Sequence, residues 1–161
     1  MNAKAEAFKK FLDEKNPQAC QVEEVPNDDQ NTVLFRSGLL VDGQRLPLIF
    51  IISENAFPII RVFIAPKAVH DDNHEALHRT IDEYNATYLP FKFYCDGADA
   101  LVMDTCLPTF GNEEASFETF ADEMQAMTDA VARFMTENYR KLMRVIWGTS
   151  EDEDPAKKDA E

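Results

Sequence analysis

A chain of 161 residues that is 45% hydrophobic and carries 12 phenylalanines has enough apolar surface for one sizeable core. With 30 acidic residues against 16 basic ones, a formal net charge of −14, it would repel a phosphate backbone or an anionic membrane face, so neither nucleic acid nor membrane is an expected partner. No run approaches the roughly 18 apolar residues of a membrane span, and the start MNAKAEAFKKFLDEK reads as a charged amphipathic helix rather than an export signal, which predicts a cytoplasmic protein.

Ala3 to Lys15 predicts the first helix, with Ala7, Phe8, Phe11 and Leu12 on one stripe and Lys4, Lys9, Lys10 and Asp13 towards water, stopped by Asn16-Pro17. Cys20 to Val25 alternates weakly and reads as an edge strand. Thr32 to Val41 and Arg45 to Ser53 are rich in β-branched and aromatic residues and flank Asp42-Gly43, a dipeptide suited to the positive φ of a tight hairpin. Pro47 lies near enough to the start of its strand to be tolerated. Leu48, Ile49, Phe50, Ile51 and Ile52 are apolar on both faces, which predicts a strand central in the sheet or covered on both sides. Ile59 to Ala65 supplies the next strand, Ile60, Val62 and Ile64 facing one way and Arg61 and Phe63 the other, and Pro66 ends it.

Asp72 and Glu75 have the spacing of a capping box, and Leu77, Ile81, Tyr84 and Tyr88 then recur on one helical face before Pro90. Phe91 to Cys95 and Ala100 to Leu107 flank Asp96-Gly97, which predicts a second hairpin turn of the same chemistry as the first. Gly111-Asn112 then opens one long helix, about Glu113 to Ile146. Its Phe117, Phe120, Met124, Met127, Val131 and Phe134 keep a three-four spacing before the stripe shifts to Met135, Tyr139, Leu142 and Ile146. At roughly 50 Å it would exceed the span of a compact domain of this size, so it should bend or project towards a partner. Beyond Gly148 the segment TSEDEDPAKKDAE has almost nothing apolar and is expected to be disordered. The predicted fold class is α+β: a mainly antiparallel sheet of about five to six strands covered by helices, in the order α-β-β-β-β-α-β-β-α. It forms one domain over residues 1–147, followed by an acidic tail over 148–161.

Residues that could carry chemistry are sparse. His70, His74 and His78 fall within nine residues, and an i, i+4 pair on a helix sets two imidazoles on one face at metal-binding distance. His70 precedes the helix start, however, and neither a nearby cysteine nor the HExxH spacing accompanies them, so they read as a solvated face and no metal ligand is assigned. Cys20, Cys95 and Cys106 are odd in number and widely spaced, which speaks against a disulfide framework and a zinc site. Cys95 and Cys106 belong to strands that should pair, but not opposite each other. The Phe and Met stripe of the last helix reads as core or dimer surface, with a peptide groove as the lesser reading. Asp99, Asp104 and Glu118 read as turn, strand-face and cap residues. No catalytic or cofactor-binding residue is predicted, and the chain reads as a non-enzyme.

Phe50 to Ser53 followed by Phe57-Pro58-Ile59-Ile60-Arg61-Val62-Phe63, then Leu77, Ile81, Asn85 and Pro90-Phe91-Lys92-Phe93-Tyr94-Cys95-Asp96-Gly97, resemble the YbjN-like family of bacterial sensory transduction regulators over about Cys20 to Ile146. The resemblance implies a fold similar to type III secretion chaperones, a β-sheet covered by helices. It supplies no catalytic residues to carry over.

These observations lead to a non-enzymatic cytoplasmic module, chaperone-like or regulatory, that holds a protein or peptide client against a sheet edge or an apolar groove, with homodimerisation open. The acidic surface would favour a basic client and weaken the association with salt. The alternative is a small-ligand or metal sensor that uses His70, His74 and His78.

Overall fold

A computed structural model describes residues 1–109 and 114–148 of the chain. The elements follow in the expected order: α1 (Ala3–Lys15), β1 (Gln21–Glu24), β2 (Val33–Val41), β3 (Gln44–Ile52), β4 (Ile59–Ala65), α2 (His74–Thr87), β5 (Phe91–Cys95), β6 (Leu101–Cys106) and α3 (Glu114–Trp147). The strands form one six-stranded sheet in the order β1-β2-β3-β4-β6-β5, and every neighbouring pair is antiparallel. The β2–β3 hairpin closes at Asp42 (φ 50°) and Gly43 (φ 78°), the two positive φ values that a two-residue turn needs to match the strand twist.

All three helices lie on one face. Phe8 of α1 packs on Phe35 of β2, 5.2 Å between ring centroids, on Phe50 of β3 at 5.0 Å and on Phe120 of α3 at 6.4 Å. A second aromatic group gathers around Phe134 of α3, where Phe91 and Phe93 of β5 meet Tyr84 and Tyr88 of α2 at 4.8–5.7 Å. Centroid separations in this range, many of them edge-on, add favourable ring electrostatics to the burial itself. The stripe foreseen on the last helix is therefore core: Phe120, Met124, Val131, Met135 and Leu142 are almost fully buried.

The long helix is held at its C-terminal end, where Asn73 Nδ2 donates to Ile146 O at 3.0 Å and Gly148 (φ 79°) caps the last turn through its N–H to Arg144 O. Two expectations need correction. The capping box of Asp72 and Glu75 does not form; the residue before α2 is Asn73, whose amide ties three backbone groups, His70 N, Ala68 O and Ile146 O, rather than its own helix. Asp96-Gly97 is not a two-residue turn. The loop spans five residues, Asp96 Oδ1 accepts from Ala98 N and Ala100 N, and the positive φ falls on Asp99. An aspartate that satisfies its own loop in this way competes with the tighter turn. β3 is central in the sheet, as its apolar run predicts, and among the described residues no helix lies over Ile49 and Ile51, which are half-buried between side chains of the neighbouring strands. The expected helix start at Gly111-Asn112 and the expected tail beyond Gly148 lie outside the described residues.

Candidate interaction surface

Period-two alternation gives the sheet a second face, opposite the helices, and the register fixes what stands beside what. One cross-strand row runs Arg36, Ile49, Arg61, Asp104, Lys92 through β2, β3, β4, β6 and β5. To one side lies the row Leu34, Ile51, Ile59, Cys106; to the other, Phe63, Val102 and Tyr94. A charged row thus runs between two apolar ones. The resulting face is half-buried by its own side chains and has no helix upon it among the described residues.

At its centre the Arg61 guanidinium makes a bidentate pair with Asp104, both contacts at 2.8 Å, and the Tyr94 hydroxyl donates to Asp104 Oδ2 at 3.0 Å. The hydrogen bond to Asp104 raises the affinity of Arg61 for its proton, and partial burial together with the Asp104 charge pushes the Tyr94 hydroxyl up. The cysteine on this face, Cys106, is held upwards by partial burial and by Asp104, so it is a thiol rather than a reactive thiolate at neutral pH. Arg36 pairs with Glu23 of β1 at 3.0 Å. Arg45 stretches across Gly38, where an added Cβ would sit 2.7 Å from its Cγ, so the absent side chain makes room for the arginine.

The two sheet edges differ. On β5 the outward-facing backbone is occupied at Phe93 and at the Phe91 N–H: Asn85 of α2 donates to Phe93 O at 3.0 Å and accepts from Phe93 N at 2.7 Å, and Phe91 N donates to Tyr88 O. A side-chain amide here stands in for a neighbouring strand. On β1, Val25 N bonds Thr32 O, so alternation along the ladder turns the N–H and C=O of Val22 and Glu24 outwards, and no described residue pairs with them. All four β1 residues are exposed. This free edge is the one expected for Cys20 to Val25.

The histidines do not converge. His74 and His78 are exposed on α2 with ring centroids 4.4 Å apart, whereas His70 turns to Trp147 at the end of α3, 5.0 Å away, with its buried Nε2 unbonded. Among the described residues no group of three or more His, Cys, Asp or Glu could hold a metal ion. Cys95 stands opposite Leu101 and Cys106 opposite Ile59, so the two thiols are not paired across the hairpin, as expected. A groove between α1 and α3 is lined by Ala7, Phe11, Phe117 and Ala121 with Glu6 and Glu14 at its rim. The doubly apolar run of β3 signals its central place in the sheet but does not say which face the helices take.

No helix among the described residues is long and apolar enough to cross a membrane. No protein-family model matches the chain, and no curated protein matches it. Among solved structures it is similar to a chain in the crystal structure of the ExsC-ExsE complex, at 11% identity over 85% of this chain and 96% of that one, with a TM-score of 0.46.

Proposed function

We propose that the chain is a non-enzymatic cytoplasmic protein- or peptide-binding module, chaperone-like or regulatory, of the YbjN-like kind. The observation that carries the reading is the asymmetry of the sheet: one face and one edge are closed by the chain's own helices, while the other face and the β1 edge have no cover among the described residues. A client strand laid against β1 would meet the outward N–H and C=O groups of Val22 and Glu24, and apolar pockets beside it would select side chains. The Asn85 and Phe91-Lys92-Phe93 strings behind the family resemblance acquire a physical role here, since they form the closed edge.

A photo-crosslinking amino acid placed at Val22, at Leu34 or, as a control, at Arg79 on α2 tests the proposal in cell lysate. One protein trapped at Val22 or Leu34, absent at Arg79 and displaced by excess unlabelled chain, is the expected result. Crosslinks that are absent, or equal at all three positions, would overturn it.

The sensor reading keeps one specific observation, the 4.4 Å separation of the His74 and His78 rings. Calorimetry with zinc and nickel on the natural chain and on His74→Ala with His78→Ala decides it: micromolar binding that needs both histidines and changes the oligomeric state would promote it.

A further inference from the structure

In a chain with 30 acidic and 16 basic residues, the strand residues of the uncovered face carry Arg36, Arg45, Arg61 and Lys92 against only Glu23 and Asp104. Asp96 at the end of β5, whose charge reaches Arg61 and Tyr94, adds a third carboxylate, and the face remains net positive on a strongly acidic protein. Glu23 neutralises Arg36 and Asp104 neutralises Arg61, which leaves Arg45 and Lys92 with no carboxylate in ion-pair range among the described residues. The two cations stand apart, Arg45 beside Leu40 at the hairpin end of β3 and Lys92 on β5 with its ammonium over the Tyr94 ring, 5.6 Å from the centroid. Between them lie the half-buried Phe63 and the Arg61–Asp104 pair over a buried Val102, the row Ile51, Ile59 and Cys106 flanks Lys92 on its other side, and Leu40 next to Arg45 is 73% exposed.

Deepening the protein-binding reading above, on which this step rests, we propose that the uncovered sheet face docks an amphipathic helix of a partner protein, apolar along one side and flanked by carboxylates. A helix there would complete a third layer over a sheet that has apolar side chains on both faces. Carboxylates on its flanks would find Arg45 and Lys92, and the attraction would be strongest at low salt. The overall charge favours a basic client, but the local charge where apolar surface is exposed favours an acidic one. A second copy laid face to face would set two net-positive surfaces together, so it is disfavoured as the occupant.

The probes are two synthetic helical peptides with the same leucine stripe, one flanked by glutamates and one by lysines. They are titrated against the full chain by fluorescence anisotropy, with alkylation of the exposed Cys106 as a footprint of the face. The glutamate peptide should bind at least tenfold more tightly than the lysine peptide and should slow the alkylation of Cys106. Arg45→Glu combined with Lys92→Glu, both exposed positions, should invert that preference while the melting temperature stays put. Equal binding of the two peptides, preference for the lysine peptide, or binding without protection of Cys106 would overturn the proposal. So would protection of Cys106 that rises with protein concentration alone, which would make a second copy the occupant. If neither peptide binds while crosslinks still map to Val22, this inference fails and the broader reading stands; if the crosslinks fail as well, both fall.

Discussion

Phe50 and Ile51 are neighbours in one strand and point to opposite faces of the same sheet, yet their surroundings differ. Phe50 meets the ring of Phe8 and is 5% exposed, whereas Ile51 stands in a row of half-buried side chains with no helix over it among the described residues. The helix-facing side is a packed interior of interlocking rings. Its opposite is a lateral mosaic in which apolar rows shelter one another and a guanidinium–carboxylate pair lies between them. The difference teaches that strand composition alone reports apolarity, while the placement of helices decides which apolarity becomes core.

The sharpest way to break this comparison is to truncate both neighbours. Phe50→Ala should cost about 3–5 kcal/mol in denaturant unfolding, because it removes a ring and leaves a cavity under α1, while Ile51→Ala should cost less than about half of that. Equal losses would mean that the second face is as buried as the first. A smaller effect is expected at the centre of the mosaic. Arg61→Met leaves Asp104 without its bidentate partner and should cost about 1–3 kcal/mol, while adding Asp104→Leu should recover most of the loss, because an apolar pair can replace a partly desolvated ion pair. A double-mutant cycle with no coupling would show the pair to be solvent-screened. The smallest effect is spectroscopic. The Tyr94 hydroxyl, isolated by difference against Tyr94→Phe, should ionise above the ordinary tyrosine range in an alkaline ultraviolet titration, and Asp104→Asn should move it part of the way back. Because the folded value is raised, the associated stability is present below the unfolded value and is lost as the pH climbs through the folded one.

The closing of β5 offers one more test. Asn85→Ala exposes both backbone groups of Phe93 and should cost about 1–3 kcal/mol. It should also raise the aggregation rate by light scattering, since a free edge invites another strand.

Element order, the Asp42-Gly43 hairpin, the edge position of β1 and the buried stripe of α3 were legible in the sequence because each follows from local periodicity or turn chemistry. What stayed hidden depends on contacts far along the chain. Asn73 reaches Ile146 across 73 residues, and no pattern near Asn73 distinguishes such a tie from an ordinary helix cap. The side of β3 left bare follows from where α1 and α3 settle, which the apolar run Leu48 to Ile52 does not encode. The staple at Asn85 was visible only as part of a familiar string, and its purpose emerged from two hydrogen bonds to Phe93.

That staple has a consequence for assembly. Growth of a sheet from molecule to molecule requires two accepting borders, one to give and one to receive, and here Asn85 has taken the second out of use. Joining through β1 is therefore expected to end after a single event, as a pair of molecules or as one molecule with one guest, and filament formation by strand stacking is opposed while that asparagine is in place.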